Sequence, residues 1–146
     1  GQAVVVIDHA LYVYGGKTDE FNQFAYTSAP NTNDILYLSL ASPFPANSPP
    51  WFVVGGSSNS NSSAPHGPAL SWATASAFTS SHVLIFGGVP DSNSDIVLVG
   101  NPDSASLLNI QAGQSPEWAI QPNGWANQPM RRIHHSTATT ASGLVF

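Results

Sequence analysis

Leu11-Tyr12-Val13-Tyr14-Gly15-Gly16 and Val83-Leu84-Ile85-Phe86-Gly87-Gly88 follow one pattern 72 residues apart: four apolar or aromatic residues run into a pair of glycines. Upstream of the first run stands Val4-Val5-Val6-Ile7, with Asp8-His9 between, so the segment reads as two short strands around a tight turn. Downstream, Asn33-Asp34-Ile35-Leu36-Tyr37-Leu38 predicts a third strand, and Ser94-Asp95-Ile96-Val97-Leu98-Val99 predicts its counterpart 61 residues later. Each unit then closes on a tryptophan, Trp51 after Pro49-Pro50 and Trp118 after Pro116-Glu117, 67 residues apart. Several landmarks recurring in one order mark a repeat in which single units bury their faces against neighbours.

A third unit begins near the end. Trp72 to Phe86 lies without a gap on Arg132 to Phe146, at an offset of 60, with Ser76/Ser136, Thr79/Thr139, Leu84/Leu144 and Phe86/Phe146 identical. The predicted strands are rich in β-branched and aromatic residues and flanked by turn formers. No stretch carries the apolar spacing of an amphipathic helix, and twelve glycines and twelve prolines in 146 residues interrupt the chain too often for long helices. The fold class is therefore all-β, with four strands to a unit.

These landmarks together resemble kelch repeats: glycine pairs after an apolar strand, Asp34 and Asp95 opening the next strand, Trp51 and Trp118 on the fourth, and Arg132 before the following unit. The resemblance spans the chain. It implies a β-propeller of the superfamily that includes the central domain of galactose oxidase, each unit forming one blade. Blade one would occupy 1–54, blade two 55–118, and 119–146 the start of blade three. It also implies structural roles: Gly15, Gly16, Gly87 and Gly88 would allow positive φ and close backbone approach, Trp51 and Trp118 would wedge between blades, and Arg132 would bridge them. Two features depart from the pattern, since Leu98 stands where Tyr37 supplies an aromatic, and Trp72 stands where Arg132 aligns. Two blades and part of a third do not close a ring. Either the chain is a fragment of a longer propeller, the reading favoured here because the break falls inside a hairpin, or several copies complete the ring.

Only 8% of residues are charged, the formal net charge is −5, and there are three basic residues, Lys17, Arg131 and Arg132. Such a surface cannot neutralise a phosphate backbone, which excludes nucleic acid as the expected partner. The absence of cysteine removes disulfides, thiolate metal sites and cysteine nucleophiles. No apolar run approaches the roughly 20 residues of a membrane span, so any anchor of an ectodomain would lie outside this segment. Loops of Ser, Asn, Thr and Pro suit a secreted or cell-surface protein, and the large kelch ectodomains of fungi have this composition. Asn61-Ser62-Ser63 is a glycosylation sequon within a Ser/Asn/Gly-rich stretch.

The sequence offers little catalytic chemistry. Adjacent His134 and His135 would point to opposite faces of a strand, His9 and His82 fall at predicted turns, and the carboxylates show no paired spacing. No cofactor and no catalytic or metal-ligating residue is expected. The loop from Lys17 to Asn33 combines Asp19 and Glu20 with Phe21, Phe24 and Tyr26, a mixture suited to a protein interface. Trp125 with Arg131 forms a second candidate for gripping a protein or a sugar. The expectation is a non-catalytic protein-interaction or scaffolding module, whose partner is a protein or neighbouring blades from the same chain or other copies. A carbohydrate-binding propeller and a fragment of a galactose-oxidase-like copper enzyme are the alternatives.

Overall fold

The computed structural model describes residues 1–18, 29–56, 67–90, 105–111, 115–120, 132–140 and 143–145, and the side chains of 119–120 and 143–145 are not considered. Ten strands and no helix occur among them: β1 (Ala3–Ile7), β2 (Ala10–Tyr14), β3 (Ile35–Ser39), β4 (Phe52–Gly55), β5 (Ser71–Ala77), β6 (His82–Val89), β7 (Ala105–Asn109), β8 (Glu117–Ile120), β9 (Ala138–Thr140) and β10 (Gly143–Val145). They form two four-stranded antiparallel sheets in sequence order, β1-β2-β3-β4 and β5-β6-β7-β8, and a two-stranded hairpin, β9-β10.

The first hairpin follows from its sequence. Ala3, Val5 and Ile7 are buried while Val4 and Val6 are open, the period-2 alternation of a strand with one face packed. Asp8 and His9 connect β1 to β2 with φ of 47° and 58°, so both turn residues are left-handed, which matches the twist of the flanking strands. Aspartate and histidine are among the few side chains that tolerate this region.

Sheet two differs because both of its faces are covered. From Val83 to Gly88 every residue of β6 is buried. One face packs β5 against β1 and builds the main core, where Val5, Tyr14, Val83, Ile85 and Leu108 meet. The other carries Leu84, Phe86, Ala105 and Leu107, a smaller core on the side of the segment leading into β9. Trp118 joins the main core, its ring edge-on to Tyr14 at 5.7 Å between centroids. A Cβ built on Gly67 would lie 1.9 Å from the Trp118 ring, so only glycine leaves room for it there. Tyr14 closes the seam by donating its hydroxyl hydrogen to the Pro68 carbonyl.

Three expectations are corrected. The third strand of sheet two is Ala105–Asn109, paired with β6, and not the Ser94–Val99 run. Asp95, expected to open the third strand as Asp34 stands before β3, lies outside the described residues. The apolar positions of β7 fill the two cores, Leu108 in the larger and Ala105 and Leu107 in the smaller. In sheet two, Leu107 takes the place of Tyr37, each lying two residues beyond the partner of the aromatic residue before the glycine pair.

The alignment of the second and third units also shifts. Trp72 and His134 both adopt left-handed backbone, with φ of 57° and 56°, and so correspond at an offset of 62 instead of 60. Arg132 then matches Leu70, not Trp72. The hairpins differ in length by one residue, five lying between the paired Ala77 and Val83 and four between the paired Thr139 and Leu144, so the second strands correspond at an offset of 61.

Finally, Trp51 is 41% exposed and does not fill an interlayer place as Trp118 does. The two tryptophans hold equivalent positions, since Trp118 opposes Leu108 and Trp51 directly precedes Phe52, the partner of Tyr37. Their difference lies in what covers them. Sheet one shields Trp118, whereas no sheet among the described residues lies on the Trp51 side of sheet one.

Candidate functional site

The glycine pairs join successive layers. Gly15 and Gly16 have φ of 64° and 96°, and the Gly16 N–H donates to the Leu70 carbonyl at 2.7 Å. Gly87 and Gly88 have φ of 74° and 83°, and the Gly88 N–H donates to the Arg132 carbonyl at 2.8 Å. A Cβ on Gly15 would come within 2.4 Å of the Leu70 oxygen, and one on Gly87 within 2.4 Å of the Arg132 oxygen. Each pair thus accepts the backbone of the next unit where any side chain would collide. Arg132 bridges layers through its main chain, with its side chain exposed. Asp34 takes part through its backbone as well, its carbonyl accepting the Gly15 N–H at 3.1 Å.

Two residues beyond each clasped carbonyl the chain turns left-handed, at Trp72 and at His134, before entering β5 and the run toward β9. These turns open a cleft of about 390 Å³ at the starts of β1 and β5 and beside the segment leading into β9. Its walls repeat by position. Gly1, Trp72 and His134 hold the first place; Gln2, Ala73 and His135 the second. Ala3, Thr74 and Ser136 follow, then Val4, Ala75 and Thr137.

Trp72 and His134 lie ring against ring, 5.7 Å between centroids and tilted 42°. From sheet one, the Lys17 ammonium sits 5.8 Å from the centre of the Trp72 ring and donates a hydrogen bond to the Ala29 carbonyl at 2.8 Å. His135 turns the other way. Its Nε2 is 3.0 Å from the Thr74 hydroxyl and its ring is edge-on to Phe86 at 5.1 Å. Its Nδ1 is buried without a hydrogen-bond partner. Burial lowers its pKa from the ordinary value of 6.5; the Phe86 backbone carbonyl opposes this and the nearby Arg132 charge adds to it. A neutral imidazole is the form this setting favours. Thr137 reaches the Ser76 hydroxyl, and the Thr139 hydroxyl donates to the Ala77 carbonyl at 2.8 Å.

The two adjacent histidines therefore serve different partners, although they stand in a left-handed bend before β9 and not in a strand as expected. His9 lies in the first turn, and His82 opens β6 with its Nδ1 2.9 Å from the Thr79 hydroxyl. Among the described residues no three His, Asp or Glu side chains gather closely enough to hold a metal ion. The interface candidates Phe21, Phe24, Tyr26, Trp125 and Arg131, and the sequon at Asn61, lie outside the described residues. Sequence reasoning did not find the cleft, because its defining feature is the left-handed backbone shared by Trp72 and His134, which no common letter marks. No protein-family model matches the chain, and no curated protein matches it.

Proposed function

We propose that the chain is a kelch-type β-propeller segment in which each four-stranded sheet is one blade, acting as a non-catalytic protein-interaction or scaffolding module of a secreted or cell-surface fungal protein. The observation that carries the reading is the repeated clasp: Gly16 to Leu70 and Gly88 to Arg132 are one interaction made twice, between consecutive units in the same order. A backbone clasp that recurs with each unit is what a radial array of blades requires. The packing of β1 against β5, and of β5 against β9, agrees with inner strands placed side by side.

The sparse charge and the Ser/Asn-rich connections favour a surface that meets other macromolecules. Loops held by such a scaffold vary freely and carry recognition. Phe21, Phe24 and Tyr26 are the residues proposed to engage the protein partner, with Trp125 and Arg131 as a second contact, and Asn61 is proposed to carry a glycan.

Two measurements test this. Replacing Phe21, Phe24 and Tyr26 together by alanine should abolish cross-linking to a defined, identified partner while leaving the melting transition in place; undiminished cross-linking contradicts the assignment. An assay for hydrogen peroxide, run on copper-treated protein with galactose and other primary alcohols, should give no signal above the copper blank. Turnover in that assay would make the chain part of an oxidase instead.

A further inference from the structure

We infer that the cleft at the starts of β1 and β5 and beside the segment leading into β9 binds an uncharged saccharide, with Trp72 as the surface on which a sugar ring rests. This stands on the geometry of the cleft and holds whether or not the sheets are blades of a kelch propeller.

Three features support it. The first is backbone conformation. Left-handed φ is unfavourable for a bulky side chain such as tryptophan, and Trp72 adopts it at the position where the next unit has His134, a residue type that tolerates it. A tryptophan held in this conformation is an outlier, and such outliers concentrate where a ligand is held.

The second is the chemistry of the walls. Ser136 supplies a hydroxyl, Gln2 an amide and His134 an imidazole around a half-buried indole, while the Thr74 and Thr137 hydroxyls in the walls are held by His135 and Ser76. Among the described residues no Asp, Glu, Lys or Arg side chain lines the cleft. Neutral groups that both donate and accept, set beside an apolar ring, match a pyranose, which offers hydroxyls at its rim and a C–H face. A cation would find no counter-charge there, and the nearby Lys17 ammonium is engaged by the Trp72 ring and the Ala29 carbonyl.

The third is size and rigidity. At about 390 Å³ the cleft lies in the range of small-ligand sites and has room for one or two sugar rings. Its floor is fixed before any ligand arrives: Lys17 braces Trp72, the Trp72 N–H donates to the Gly1 carbonyl at 2.6 Å, and the Thr74–His135 contact ties the second and third units.

The test is saturation-transfer NMR on the 146-residue chain with methyl glycosides of neutral hexoses and N-acetylhexosamines, a hexuronic acid, and a polyproline peptide as a non-sugar probe of the aromatic pair. At least one neutral glycoside should bind, with transfer to its C–H face, and the hexuronic acid and polyproline should not. Trp72→Gly should weaken the binding at least tenfold while the chain keeps cooperative melting. Trp72→Phe, which retains an apolar ring and guards against misfolding of the glycine variant, should weaken it several-fold. Failure of every neutral glycoside, preference for the acid or the peptide, or unchanged binding in folded Trp72 variants would overturn the inference.

Discussion

At the scale of single residues, the glycine pairs and His135 are the positions where local chemistry fixes the architecture. Gly15→Ala and Gly87→Ala each force a Cβ against a carbonyl oxygen in a left-handed backbone, so each should destabilise by at least about 2 kcal/mol. Urea unfolding checks this, and a loss at only one of the two sites would mean that the clasps are not equivalent. His135 ties stability to pH. Its folded-state pKa lies below the ordinary 6.5, so as pH falls through that value the unfolded chain takes up the proton first. The contribution of this group is complete above pH 6.5 and declines as pH falls toward the lower folded value. Replacing His135 by glutamine should therefore reduce the drop in unfolding free energy between pH 7.5 and pH 5.5. An unchanged drop would show that the imidazole is not held neutral.

At the scale of elements, the two tryptophans make a paired prediction. Trp118→Ala removes a ring packed on Tyr14 and should cost about 2–4 kcal/mol, less than a fully buried tryptophan because part of the ring reaches solvent. Trp51→Ala in the same chain should cost under about 1 kcal/mol, since its ring has no covering sheet among the described residues. Equal losses in chemical denaturation would refute this account of the layers. The contrast also separates what could be read from the letters from what could not. The hairpin β1–β2, the glycine pairs and the fourth-strand tryptophan were legible because alternation, φ preference and size leave local signatures. The third strand of sheet two was not. Ser94–Val99 has the higher β propensity, whereas Ala105–Asn109 forms the strand because Leu107 and Leu108 fill cores on opposite faces, a choice made by tertiary burial. The offset between the second and third units was misread for a similar reason: identical letters such as Phe86 and Phe146 outweighed a difference in loop length. The cleft was illegible altogether, because Trp72 and His134 share a backbone angle and no chemistry.

At the scale of the molecule, sheet one presents an apolar row across all four of its strands, Val4–Val13–Leu36–Val53, and a second row begins at Val6 and runs through Leu11 and Leu38 toward Trp51. The matching rows of sheet two, which contain Ile85, Val83, Leu108 and Trp118, lie beneath sheet one. If the sheets are blades, the face of sheet one is the same surface, and another four-stranded sheet covers it when the ring closes. A surface of this kind left open would drive association, because Val4, Val6, Trp51 and Val53 are each more than 40% exposed.

Thiol labelling reads that surface directly, since the chain has no cysteine of its own. Val6→Cys and, as an exposed control, Ser80→Cys would each be treated with a maleimide in the full-length protein. A propeller predicts that the thiol at position 6 is protected under native conditions and reacts only on unfolding, while the thiol at position 80 reacts at once. Equal, rapid labelling at both positions would contradict the propeller.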